Sequence, residues 1–231
     1  MIKKFAVIGL GRFGQHLAVE LARKGAEVLA IDAKMDRLDD IKDQVTHTVC
    51  LDSTEIKALQ SQGITDYDAV IVGMGENFEA CLLTVAALQQ LEVRRIIVRA
   101  TTSVHERILN HLGITEVILP AEEAADRLSS SLMVEGMVDS FAISSDYNIS
   151  EINTPDDFIA RTVGELDIHR KFGVTLVAIR RMVAKKKLLG LGVKQVETII
   201  GTPQATTMIE RGDILVIFGK KKDIESMMES K

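Results

Sequence analysis

Short apolar runs alternate with amphipathic stretches through the first 120 residues, at a spacing of about twenty-five residues. Phe5 to Ile8 precedes a helical pattern from Arg12 to Lys24, Val28 to Ile31 one from Met35 to Asp43, and His47 to Leu51 one from Glu55 to Gln62. The scheme then repeats as Ala69 to Val72, helix Phe78 to Leu91, Ile96 to Val98, helix Val104 to Leu112, and Val117 to Leu119. Strands alternating with helices over short loops predict a parallel sheet with right-handed crossovers and helices on both faces. The expected fold is α/β, a doubly wound Rossmann sheet of order 3-2-1-4-5-6. Its crevice lies beyond the C-terminal ends of the first and fourth strands, where the order reverses.

The pattern changes after Pro120. Ala121 to Val138 reads as one long helix whose apolar face, with Ala125, Leu128, Leu132, Met133 and Met137, is too rich to leave in water. Phe141 to Ile149 reads as a strand that leads into a polar turn at Thr154 and Pro155. Shorter strands follow at Thr175 to Ile179, Glu197 to Ile200 and Ile214 to Phe218, with small helices at Thr162 to Leu166 and Lys222 to Met228. The expected division falls near Asp139: a nucleotide-binding domain with its connecting helix over 1–138, and a small α+β domain over 139–231.

The first strand ends in Gly9-Leu-Gly11-Arg12-Phe13-Gly14, and Asp32 closes the second apolar run. In this arrangement Gly9 permits the tight turn, Gly11 lets the backbone approach a pyrophosphate, and Gly14 lets the next helix pack against the sheet. Phosphate then sits on the free N–H groups and positive dipole end of that helix. Asp32, expected at the open crevice, is placed to accept from ribose hydroxyls. Arg12 brings a cation to a helix end that favours anions, which makes sense if it meets phosphate. Three loops converge on the same crevice: Asp52-Ser53-Thr54, Gly73 to Asn77, and Arg99 with His105 one turn further on. Thr54 and Asn77 also suit helix capping.

Composition narrows the classes. With 46% apolar and 26% charged residues in 231, the chain can bury one or two cores. A net charge of −5 argues against a nucleic-acid partner. A strand that starts within five residues of Met1 leaves no room for a signal peptide, and no apolar stretch approaches the ~20 residues of a membrane span. Cys50 and Cys81 are isolated and read as reduced core thiols. The runs Lys185–Lys187 and Lys220–Lys222 read as solvated turn charges without an aromatic partner.

Together, Phe5-Ala-Val-Ile-Gly-Leu-Gly-Arg-Phe-Gly, the acid at Asp32, the Asp52-Ser53-Thr54 and Gly73 to Asn77 loops and the connecting helix resemble the KtrA/TrkA family of cytoplasmic RCK (regulator of potassium conductance) subunits. With one N and one C lobe the chain is similar to the KtrA type. The resemblance implies a regulatory subunit, not an enzyme, that gates an integral-membrane potassium channel of the KtrB or TrkH type. It implies a homodimer, four of which form an octameric ring on the inner face of the membrane. It assigns phosphate to Gly9, Gly11 and Gly14, terminal phosphate to Arg12 and ribose to Asp32, and counts Phe13 among the nucleotide-binding residues. Asp52 and Ser53 take the adenosine end, and Gly73, Asn77 and Arg99 complete the pocket. The implied ligand is ATP or ADP, with NAD or NADH as the alternative, because Asp32 suits any free 2′-hydroxyl. The family often places Glu directly after the proline that opens the long helix, in a divalent-cation site. Here Ala121 stands there and Glu122 follows, although an acid in a first helical turn is also favoured by the dipole alone. A cyclic di-AMP site would map to Asp167–Val174, with His169 and Arg170 on phosphate and Pro203 nearby, or these are exposed loop residues. Two other classes share the fingerprint. An NAD-dependent oxidoreductase lacks support, since Ile71 and Glu151 stand where a Tyr-x-x-x-Lys pair needs lysine. A redox-sensing repressor would need a helix-turn-helix and a basic face.

Overall fold

Six apolar runs form one parallel sheet in the computed structural model, which describes residues 2–186 and 193–229. In chain order these are β1 (Lys4–Ile8), β2 (Glu27–Asp32), β3 (His47–Cys50), β4 (Ala69–Val72), β5 (Ile96–Arg99) and β6 (Glu116–Ile118). The helices between them are α1 (Arg12–Arg23), α2 (Met35–Asp39), α3 (Ile56–Ser61), α4 (Phe78–Gln90) and α5 (Ser103–His111). The order is β3-β2-β1-β4-β5-β6, as the alternation predicts. Successive residues of β1 serve opposite faces. Ala6 and Ile8 join a core with Val72, Val85 and Leu88, and Val7 joins another with Ala18, Val28 and Ile71. Burial on both faces explains why these strands read as unbroken apolar runs. Helix α2 stops at Asp39 rather than Asp43, since Asp39, Asp40 and Asp43 crowd the end where the dipole disfavours anions.

The chain divides into two compact units, Met1–Ala121 and Glu122–Lys231. The division between the units falls at the start of the connecting helix, which is itself shorter than its apolar pattern suggests. Helix α6 (Pro120–Met133) ends at a turn where Gly136 adopts φ +84°, and the chain enters β7 (Met137–Ala142) at once. The single strand expected from Phe141 to Ile149 is a hairpin. Ser144 Oγ accepts from the N–H groups of Asp146 and Tyr147, and turns the chain from β7 into β8 (Tyr147–Asn153).

After β8 come α7 (Val163–Leu166), α8 (Ile168–Phe172), β9 (Thr175–Lys186), β10 (Val193–Gly201), β11 (Ile214–Lys220) and α9 (Lys221–Glu229). The second sheet is antiparallel, in the order β10-β9-β11-β8-β7, with Ile152, Ile179, Leu215 and Ile217 buried against Phe158, Leu166, Ile224 and Met227. Strand β9 runs well beyond Ile179 because its two arginines are neutralised. Arg180 bonds Glu151 on β8 and Glu197 on β10, while Arg181 donates two hydrogen bonds of 2.8 and 2.7 Å to the buried carboxylate of Asp213 and also pairs with Glu210. The Lys185–Lys187 run lies outside the described side chains. In the other run Lys220 is exposed, yet it has the aromatic partner that the sequence reading denied it, since its ammonium lies 5.9 Å from the ring centre of Tyr147. No helix among the described residues is long and apolar enough to cross a membrane.

Candidate functional site

A cleft of about 670 Å3 opens at the C-terminal ends of β1 and β4. Gly9 and Gly11 form one bank. The Gly9 N–H donates to the carbonyl of Ile31 at 2.8 Å, which ties the turn to the end of β2. Gly14 is required by close approach: a Cβ there would lie 2.1 Å from the carbonyl oxygen of Gly9. A Cβ on Gly11 would meet no protein atom within 4 Å, so that position leaves space on the cleft side. Gly11 caps α1 without a side-chain bond, and no acid occupies the first turn. The N–H groups of that turn are therefore left to an outside acceptor. Arg12, exposed on the cleft wall, enters no ion pair among the described residues.

Asp32 corrects the expectation of an open carboxylate, for only 6% of it is exposed. Its Oδ2 accepts from the Leu10 N–H at 2.7 Å and from Arg37 Nη1 at 3.3 Å, and its Oδ1 accepts from the Lys34 N–H at 2.9 Å. The group thus holds the glycine turn as well as facing the cleft. A carboxylate offers about four acceptor sites, so one remains for a ribose hydroxyl beside the three in use. Arg37 and Lys34 also line the cleft and are not singled out by the sequence pattern, as does Glu76 of the expected Gly73 to Asn77 loop. Arg37 Nη2 approaches Glu76 at 3.9 Å. The available signal was the position of Arg37 in the short helix directly after Asp32.

On the adenosine side, Asp52 Oδ1 accepts from both the N–H and the hydroxyl of Thr54, at 2.9 and 2.7 Å. The hydroxyl bond, then the N–H bond, hold its carboxyl below the ordinary range. Thr54 therefore braces Asp52 and does not cap α3, whose N-cap is Glu55. Ser53 lines the cleft, but its hydroxyl bonds Thr84 on α4 at 2.9 Å. Asn77 lines the cleft and also caps α4, accepting from the Ala80 N–H at 3.0 Å.

Gly73 is buried against Gly9, and Gly75 passes close over Arg99. The Arg99 guanidinium lies 5.5 Å from the ring centre of Phe13, and its buried Nε has no hydrogen-bond partner among the described residues. Phe13 thus supports the cleft from beneath Arg99. His105 does not line the cleft. It stacks on Phe78 with ring centres 3.7 Å apart, and its Nδ1 bonds the hydroxyl of Thr101, which does.

The remaining candidates lie elsewhere. Glu122 is exposed in the first turn of α6, and no cluster of three or more metal-ligating side chains occurs among the described residues. His169 and Arg170 are exposed on the five-residue helix α8, with His169 Nδ1 3.4 Å from the hydroxyl of Thr175. Of the two thiols, Cys81 is buried and its thiol is pushed up to about 11 by burial, whereas Cys50 is exposed and is not a core residue.

Comparison with known proteins gives a consistent result. Residues 5–120 match the TrkA-N domain and residues 149–231 the TrkA-C domain. The chain is 33% identical to the Ktr system potassium uptake protein C of Bacillus subtilis over 224 residues, covering 97% of this chain and 95% of that one. It is also 33% identical to the Ktr system potassium uptake protein A of the same organism, over 96% of this chain and 94% of that one. Among solved structures it resembles the GsuK RCK domain with a TM-score of 0.65 at 16% identity, covering 100% of this chain and 48% of that one. The GsuK channel bound to NAD gives a TM-score of 0.65 at 16% identity, over 96% of this chain and 38% of that one. The chain spans half or less of those GsuK chains, and the likeness is one of fold.

Proposed function

This chain belongs to the family built from a TrkA-N and a TrkA-C domain, and on that premise we propose that it regulates a membrane potassium-uptake system by sensing an adenine nucleotide. The observation that carries the reading is the cleft itself. An uncapped helix end, an open Gly11 and two cations without a carboxylate partner among the described residues, Arg12 and Arg99, face one space. Each feature suits a ligand rich in phosphate. In this reading the turn at Gly9 and Gly11 holds phosphate, Asp32 accepts from ribose, and Asp52 and Ser53 border the adenosine. Asn77 and Arg99 close the far bank. The family's Ktr members are named as potassium uptake proteins, which supports a partner that is a separate integral-membrane potassium channel.

Regulation follows as a population shift. A ligand biases the subunit's conformations only by its different affinity for each of them. Arg12 at the phosphate end distinguishes ATP from ADP by the terminal phosphate, with ATP favouring the conducting state. Pairs of protomers assemble through α6 into an octameric ring on the cytoplasmic face of the channel. NAD is the second reading, favoured by the GsuK channel described as bound to NAD.

Two measurements test this. Protein purified without added ligand is denatured and the released nucleotide identified, and ATP, ADP and NADH are compared for thermal stabilisation. A ligand at a hundredfold excess over its Kd stabilises by about 2.7 kcal/mol. Equal stabilisation by NADH selects the dinucleotide, and none by any adenine nucleotide overturns the reading. Arg12→Ala should leave ADP binding nearly unchanged and reduce the ATP preference by about tenfold, or 1.4 kcal/mol. An unchanged preference in calorimetry assigns discrimination to another residue.

A further inference from the structure

A second cavity, of about 130 Å3, opens in the C-terminal unit between α6, the β7–β8 hairpin and α9. Its floor breaks the apolar pattern of the sheet face on which it lies. Ile152, Leu215 and Ile217 are fully buried, yet two residues before Ile152 stands Ser150, in register with Ser140 of β7. These serines are 1% and 4% exposed. Burying a hydroxyl costs free energy unless it is bonded, and here the bonding falls short by one proton. Asn148 Nδ2 donates to Ser140 Oγ at 2.8 Å, and the two hydroxyls share one bond at 3.0 Å. Whichever serine donates in that bond, the other's hydroxyl proton has no acceptor among the described residues. The floor therefore presents a donor.

The rim carries charge of both signs. Lys221 and Glu225 stand one turn apart on α9 and both line the cavity. Neither enters an ion pair among the described residues, with the other or with any neighbour. Met137 and Ile224 supply apolar wall. The cavity has room for about four waters at ~30 Å3 each, which excludes a nucleotide.

We propose that this cavity binds a small zwitterion of the size of an α-amino acid. Its carboxylate meets the Lys221 ammonium and the spare serine proton, its ammonium meets Glu225, and its short carbon skeleton rests on Met137 and Ile224. A simple anion leaves Glu225 unanswered, and a simple cation leaves both Lys221 and the hydroxyl donor unanswered.

Saturation-transfer NMR on the full-length protein tests the assignment with glycine as probe, and with acetate and methylammonium as its two halves. Glycine should give a saturable signal, and each half should bind roughly tenfold more weakly. Lys221→Gln and Glu225→Gln lie on the rim outside the core, so each should weaken glycine by about tenfold while the melting temperature stays unchanged. Acetate binding as tightly as glycine overturns the proposal, as does glycine binding that neither variant weakens. No saturation by any of the three probes also overturns it and leaves a cavity that holds water only.

Discussion

Gly11 and Gly14 sit three residues apart and should respond in opposite ways to one added methyl group. At Gly14 the methyl would lie 2.1 Å from a backbone oxygen that cannot rotate away. Gly14→Ala should therefore destabilise the protein by roughly 1–3 kcal/mol or more, as overpacking does. At Gly11 the methyl enters open cleft. Gly11→Ala should cost less than about 1 kcal/mol of stability at this N-cap and should abolish nucleotide stabilisation. Urea unfolding with and without ADP separates the two effects, and a Gly11 variant that binds ADP normally would move phosphate away from this turn. The same scale explains Asp32. Its contact with Leu10, 22 residues away, makes it part of the turn that it was expected only to face.

At the scale of elements, the second sheet depends on ion pairs that span strands. Asp213 is 1% exposed, accepts from Nε and Nη2 of Arg181, and accepts from the Glu210 N–H at 2.8 Å. Asp213→Ala strips Arg181 of two charge-assisted hydrogen bonds and leaves it with Glu210 alone, so it should cost about 1.5–3 kcal/mol in urea unfolding. A loss below about 1 kcal/mol would show the pair to be solvated. The pair Arg127–Asp139, which joins α6 to β7, is more exposed. The Arg127 hydrogen bond, the largest cause, holds the Asp139 carboxyl below its ordinary value. A lowered carboxyl contributes stability above its unfolded pKa of about 3.9 and loses it as pH falls through the lower folded value. Asp139→Asn should remove this contribution, less than about 1 kcal/mol at such exposure, and flatten the acid limb of unfolding below about pH 4. An acid limb identical to that of the parent protein would assign the acid sensitivity to other carboxylates.

At the scale of the whole molecule, α6 leaves Leu128, Leu132 and Met133 at 60%, 75% and 83% exposure. An apolar stripe of this kind asks for a partner surface, and proposed pairing through α6 supplies one. Leu132→Glu should shift the protein toward single protomers in sedimentation while far-UV circular dichroism stays unchanged. An assembly that survives the charge would place the pairing surface elsewhere. Coupled subunits multiply small biases, so the same variant should also weaken any cooperativity in nucleotide response.

Much of the N-terminal unit is legible because its signals are local. Ala69 to Val72 reads as a strand since burial on both faces makes it apolar throughout, and Gly9-x-Gly11-x-x-Gly14 carries its geometry within six residues. The six-strand order and the cleft-lining positions Gly11, Arg12, Asp52, Asn77 and Arg99 follow from that local grammar. The C-terminal unit is less legible. Arg180 and Arg181 look like the end of a strand until carboxylates brought from other strands neutralise them, and the apolar face of α6 runs on in sequence past the turn at Gly136 that ends the helix. Topology alone tied Ser53 to Thr84 and buried Ser140 against Ser150. Periodicity reports which face of an element is buried. Which polar groups meet across strands depends on register and crossover, and those are decided only when the sheets close.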